Sequence, residues 1–247
     1  MPADTTGRGT DRELQASLSR VTCVLFDFDG PLADLFAHRP AVRVAETLGR
    51  RAQKLGVPAG VVRGVRDPLL VLRKAAWHGA VNVIRELQEL LAEEETKAAR
   101  SARLTPHADG LVRSLAASGR EVAVTTNNSA RAATVFLKER GLSRFFGPHI
   151  HGRAPDPTLL KPDPDCLTRA MTSTGTEPAE CLMIGDSVSD LEAADKAGVS
   201  FVGYARAPHK TVALRNAGAI HVVGSLEVLV DMVRHQDSHS VQCAGSG

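Results

Sequence analysis

The chain lacks an excess of charge of either sign. Lys and Arg number 30 against 28 Asp and Glu, for a formal net charge of +2. Nothing in that balance points to a nucleic acid or a membrane surface as partner. Paired cysteines are missing too. Cys23, Cys166, Cys181 and Cys243 are scattered, without the spacing of a zinc site or a disulfide framework. Cys23 and Cys181 fall in short apolar runs and are expected to be buried hydrophobes. No apolar stretch approaches the length of a membrane-spanning helix, and the polar N-terminus lacks the apolar region of a signal peptide. A reduced, cytoplasmic compartment is therefore the expectation. Internal repeats and coiled-coil heptads are also absent.

The apolar content of 43% over 247 residues is that of an ordinary soluble protein. That length suits one core domain with a smaller insertion. Residues 1–19 hold few apolar groups and residues 236–247 are rich in His and Ser, so both ends are expected to be flexible.

The most informative segment is Phe26-Asp27-Phe28-Asp29-Gly30. It continues the apolar run Val21-Thr22-Cys23-Val24-Leu25, which reads as a strand. Side chains at i and i+2 of an extended strand share a side, so Asp27 and Asp29 leave its end as two carboxylates at one site. Like charges that close repel unless a cation or a shared proton relieves them. A core gains nothing from such a pair, whereas metal-assisted phosphoryl transfer does.

Three further signals follow in order. Glu121–Thr126 reads as a buried strand running into Asn127-Asn128-Ser129. Lys161 stands before Pro162 and Pro164, whose restricted geometry pins it locally. The apolar strand Cys181–Ile184 is followed by Gly185-Asp186-Ser187-Val188-Ser189-Asp190. Predicted helices at 108–118, 129–138, 165–174 and 188–197 alternate with strands, including short ones at 201–204 and 221–223, several helices closing on a glycine. This repeated unit implies an α/β fold, a doubly wound parallel sheet with helices on both faces. Ligands of such sheets lie beyond the carboxyl ends of the strands, where Asp27, Asp29, Thr126 and Asp186 all fall.

Between Asp34 and about Leu104 the pattern is helical throughout. Val44, Leu48, Ala52 and Leu55 make one apolar stripe, and Val83, Leu87, Leu90 and Leu91 another. This block of about 70 residues suits a bundle of four or five helices. The organisation expected is a core of residues 20–33 and 105–235 with residues 34–104 inserted.

The four ordered motifs resemble the signatures of the haloacid dehalogenase-like hydrolase superfamily, over about Val21 to Val233. The likeness is to the helical-cap branch that includes phosphoglycolate phosphatase-like enzymes. It implies a Rossmann-like core and a helical cap over the site. It implies that Asp27 is the nucleophile, forming an aspartyl-phosphate, and that Asp29 is the general acid and base. A carboxylate at that second position separates phosphatases and phosphomutases from dehalogenases. Thr126 would bind a transferring phosphoryl oxygen, with Asn127 helping through its backbone N–H or side chain. Its neighbour Thr125 is expected to face the other way, and helix capping is the plainer role open to Thr126. Lys161 would neutralise the phosphoryl group and Asp27. The family's metal set maps onto the Asp27 carboxylate, the Asp29 backbone carbonyl and Asp186, an all-oxygen site suited to Mg2+. Asp190, one helical turn beyond Asp186, would orient Lys161 or a metal-bound water, or else be a surface acid near a helix start. Pro31 stands where many relatives have threonine, which implies altered local geometry with the acid pair intact.

The expected function is a Mg2+-dependent phosphatase for a small phosphorylated metabolite, as a monomer or weak homodimer, with no nucleic-acid or membrane partner. A phosphomutase of the same fold is the enzyme alternative. A phosphonate-cleaving relative would need a cap lysine, for which Lys54 and Lys74 are available but unmarked. A non-catalytic binding module is disfavoured because every catalytic position is filled. Ten Lys and Arg against three acids between Asp34 and Arg85 make a basic insert. A solvated helical face explains that excess more simply than an anion-binding lid. Trp77, the single tryptophan, stands beside a turn, where packing is a commoner role than lining a pocket.

Overall fold

A computed structural model of the protein describes residues 5–244. Helix α1 (Thr5–Arg20) leads into strand β1 (Cys23–Phe26). Residues 1–4 of the stretch expected to be flexible lie outside the described residues, and α1 occupies the rest of it. Leu14 and Leu18, one turn apart, are buried in the main apolar cluster, and full burial of one leucine is worth about 1.5–3 kcal/mol. The short strand β2 (Ala33–Asp34) then opens a helical insert of α2 (Ala41–Lys54), α3 (Ala59–Val62), α4 (Pro68–Ala76) and α5 (Val81–Ser101), which β3 (Arg103–Leu104) closes. The core resumes with α6 (Ala108–Ala117), β4 (Glu121–Thr125), α7 (Ala130–Glu139), α8 (Ser143–Phe146), β5 (Ile150–His151), α9 (Asp165–Thr174), β6 (Cys181–Gly185), α10 (Val188–Ala197), β7 (Ser200–Tyr204), α11 (Pro208–Asn216), β8 (His221–Val223) and α12 (Glu227–Ala244). Helix α12 carries regular backbone across the start of the tail expected to fray, and Gly245 to Gly247 lie outside the described residues.

Six strands form one parallel sheet in the order β5-β4-β1-β6-β7-β8. Strand β1 lies at its centre, with Phe26 in register with Val124 on one side and Ile184 on the other. Alternation along the strands sends Val24, Phe26, Val124 and Ile184 to the face covered by α6, α7 and α12. Leu25, Ala123, Cys181 and Met183 go to the face covered by α9 and α10. This is the doubly wound arrangement expected from the strand–helix alternation.

The insert packs around its own apolar cluster, with Val44 and Leu48 of α2, Val71 and Leu72 of α4, and Leu87 and Leu91 of α5 at its centre. Its stem is the antiparallel pair β2–β3, where Asp34 meets Arg103 both in register and in a 3.0 Å ion pair. Trp77 is 85% exposed, so it does not pack in the insert.

Candidate active site

The carboxyl ends of β1, β4 and β6 converge on one pocket of about 340 Å³, whose lining includes Asp27, Asp29, Thr126, Asn127, Lys161 and Asp190 from the core, with Arg66 and Glu95 from the insert. Asp27 is the first residue past β1, and its N–H donates to the Ile184 carbonyl at 2.9 Å, so sheet hydrogen bonding fixes its backbone. The turn that follows depends on Gly30. Its φ of 126° lies in the region that favours glycine, and a Cβ there would sit 2.5 Å from the Asp186 carboxyl carbon. Gly30 thus lets the Asp186 carboxylate approach the first motif.

Lys161 is 2% exposed. Its ammonium donates to Asp27 Oδ1 at 2.8 Å and to the Thr125 carbonyl at 2.9 Å, and it pairs with Asp190 Oδ1 at 2.6 Å. All three ammonium protons are thereby used. Burial works against its charge, yet Asp190 and Asp27 outweigh burial and raise its pKa above the usual lysine range. Burial pushes Asp27 up to about 8 while Lys161 pulls it down. Because Asp190 also holds the ammonium, Lys161 keeps a partner whichever state Asp27 adopts. The other oxygen of Asp190 accepts the N–H groups of Asp186 and Ser187, both at 3.1 Å, and the Ser187 hydroxyl at 2.8 Å. Asp190 is therefore a fully satisfied buried brace for Lys161 rather than a surface acid.

Asn127 locks the Lys161 backbone from the other side. Its Oδ1 accepts the Lys161 N–H at 2.8 Å, and its Nδ2 donates to the Lys161 carbonyl at 3.2 Å. Those bonds use the Asn127 Oδ1 and one Nδ2 proton, and no hydrogen bond of its backbone N–H is found among the described residues. The Thr126 hydroxyl accepts the Asn128 N–H and donates to Asn128 Oδ1, both at 3.1 Å. Capping of α7 falls instead to Ser129, which accepts from the Ala132 N–H. Thr125 does not line the pocket, and its buried hydroxyl has no hydrogen-bond partner among the described residues.

Asp29 accepts the Leu35 N–H at 2.9 Å, at the entrance to the insert. Burial lifts its pKa to about 7 against that hydrogen bond, which puts a protonated carboxyl within reach near neutral pH. Carboxylate oxygens of Asp27, Asp186 and Asp190 lie within 4.8 Å of one another, so Asp29 contributes no side chain to this cluster. Asp186 pairs with Lys210 of α11.

Sequence reasoning missed Lys210, Arg73 and the Glu95–Arg153 pair. Arg73 of α4 donates to the carbonyls of Leu160 (3.2 Å) and Lys161, tying the insert to the lysine loop. Glu95 is completely buried and accepts from Arg153 (2.9 Å), Ser129 N–H (2.8 Å) and Asn128 Nδ2 (3.1 Å). It had a visible signal: it follows Leu91 by four residues on the buried stripe of α5, where an acid needs a partner. Of the basic residues in the insert, Arg66 lines the pocket, while Arg39 and Arg51 are spent on Glu94 and Glu86. Lys54 and Lys74 are exposed and do not line it.

Residues 21–198 match the family profile of haloacid dehalogenase-like hydrolases. The chain belongs to this hydrolase family. A phosphoglycolate phosphatase of Pseudomonas putida is 32% identical over 194 residues, covering 73% of this chain and 68% of that protein. A plasmid-encoded phosphoglycolate phosphatase of Cupriavidus necator is 30% identical, covering 84% of this chain and 91% of that protein. Among solved structures, a protein of Clostridium acetobutylicum described as a predicted phosphatase superposes with a TM-score of 0.66 at 21% identity, covering 87% of this chain and 99% of that one. That likeness concerns the fold. No helix among the described residues is long and apolar enough to cross a membrane.

Proposed function

We propose that this hydrolase is a divalent-cation-dependent phosphatase for a small phosphomonoester that carries a second anionic group. The observation that carries this reading is the buried Asp27–Lys161–Asp190 chain on the pocket floor. On this reading a carboxylate nucleophile stands beside a fixed cation, both largely buried.

The donor set fits a hard cation. Of four carboxylates at the site, Asp27 and Asp190 pair with Lys161, Asp186 pairs with Lys210, and Asp29 pairs with neither ammonium. The balance when all are ionised is two negative charges, which one divalent ion neutralises. Asp27 and Asp186 are the carboxylates that would hold it, together with the Asp29 carbonyl. Bound there, Mg2+ would supply charge neutralisation for the phosphoryl oxygens.

The chain's own groups would do the rest. Asp27 attacks phosphorus, forming the carboxyl O–P bond as the ester P–O bond breaks. Asp29 gives its proton to the departing alkoxide, then takes one from the water that attacks the aspartyl-phosphate, and inorganic phosphate leaves with Asp27 restored. Lys161 and the Asn127 N–H offset charge on the phosphoryl oxygens. Thr126 joins them once its hydroxyl turns from Asn128. Arg66, which lines the same pocket, would meet a distal carboxylate or phosphate. The similarity to phosphoglycolate phosphatases makes 2-phosphoglycolate the first candidate, and a cavity of about 340 Å³ suits a molecule of that size.

A panel of phosphomonoesters tests this, comparing 2-phosphoglycolate with ethyl phosphate, with and without Mg2+. Release that needs Mg2+ and favours the carboxylate-bearing ester is expected. Folded protein that releases phosphate from no ester would overturn the reading.

A further inference from the structure

Lys210 is a cation of a different kind from Lys161. It stands in the first turn of α11, beyond the carboxyl end of β7, and its ammonium rests on Asp186 Oδ2. Lys161 is enclosed by three oxygen partners, whereas the Lys210 side chain is 44% exposed and pairs with Asp186 alone. Asp186 is also the least braced of the clustered carboxylates. The side chain of Asp190 is saturated, that of Asp27 is held by Lys161, and that of Asp186 has Lys210. A cation arriving at the cluster therefore meets an ammonium already seated on the carboxylate with most freedom to bind it.

We infer that Lys210 sets the affinity of this site for divalent cations, by competing with them for Asp186. The inference rests on the metal reading above and goes beyond it by naming the residue that opposes binding. The ammonium neutralises Asp186 until a divalent ion takes its place, and the long exposed side chain can then swing toward solvent. With Lys210 retained, the balance of the site is two negative charges, and without it three. Removing its charge must tighten cation binding, since the incoming ion loses a like-charged neighbour within one carboxylate's width. Solvent around the half-exposed lysine moderates the effect, so the expected gain is roughly tenfold.

Calorimetric titration of Mg2+, and of Mn2+ followed by electron paramagnetic resonance, into the full chain at fixed pH and ionic strength tests this. The comparison is wild type, Lys210→Met and Lys210→Arg, with Lys210→Gln as a second neutral variant and circular dichroism as the check on folding. The neutral variants are expected to bind both ions about tenfold more tightly and Lys210→Arg about as wild type does. Binding seen in the neutral variants alone would also support the inference. Wild-type binding with unchanged or weaker affinity in folded neutral variants would overturn it and leave the metal reading standing. Absence of binding in every folded form, with Asp186→Asn as the matched blank, would overturn both.

Discussion

Lys161 and Arg66 are cations of one pocket, held in opposite ways. Lys161 is buried on the floor, where sheet backbone, Asn127, Asp27 and Asp190 fix every contact it makes. Arg66 is exposed on the loop before α4, lines the same cavity and has no ion-pair partner among the described residues. The first arrangement suits reaction. Its charges are desolvated, prepaired and need little reorganisation. The second suits recognition, because a free guanidinium keeps its forked donors for whatever anion arrives. On the proposed function, chemistry falls to the core and selection to the insert; Arg73 and Glu95 join the two by hydrogen bonds.

Variants at both ends of the contrast separate these roles. Asp27→Asn, which keeps shape and removes the proposed nucleophile, should cut turnover on the order of 10⁴-fold or more while the fold persists, as read by phosphate release and circular dichroism. Lys161→Met leaves Asp27 and Asp190 facing each other in a buried site. A loss of about 3–5 kcal/mol of stability is expected from urea unfolding.

Asp29 allows a test by pH. Its pKa rises from 3.8 unfolded to about 7 folded, so its contribution to stability is complete below about 3.8 and is lost as pH rises through about 7. Thermal melts of Asp29→Asn should lose this part of the fall between those limits, and an unchanged slope would refute the burial argument. Arg66→Ala should raise KM for 2-phosphoglycolate about tenfold, with kcat and the KM for ethyl phosphate little altered. A matching loss in kcat would move Arg66 from recognition to chemistry. The smallest effect is expected at Thr125, whose buried hydroxyl has no partner. Thr125→Val should be neutral or stabilising by a few tenths of a kcal/mol, whereas a loss above about 1 kcal/mol would reveal a hydrogen bond at that hydroxyl.

The contrast also explains what was legible in the sequence. Strand β1, the paired aspartates and the Gly185–Asp190 segment are local patterns, because strand ends and short spacings alone bring those groups together. Helices α6, α7, α9 and α10 were legible for the same reason, through apolar period and a glycine or serine at an end. The tertiary partners were not. Lys210 meets Asp186 across 24 residues, Arg73 meets Leu160 across 87, and Glu95 meets Ser129 across 34, and no local pattern encodes such pairings. Helix α1 escaped notice because its mean composition is polar, although Leu14 and Leu18 stand one turn apart and both are buried. Most basic residues of the insert are exposed, and composition could not single out Arg66 as one that lines the pocket.

The central claim is that Asp27 takes the phosphoryl group. Acetyl phosphate, whose leaving group needs no proton, can be mixed with Asp29→Asn protein and Mg2+, quenched in acid and digested for mass spectrometry. Without the Asp29 base, hydrolysis of the acyl phosphate should slow and the peptide bearing Asp27 should carry one phosphoryl group, absent from the Asp27→Asn, Asp29→Asn double variant. Phosphorylation at another residue, or phosphate release with Asp27 never modified, would contradict the account.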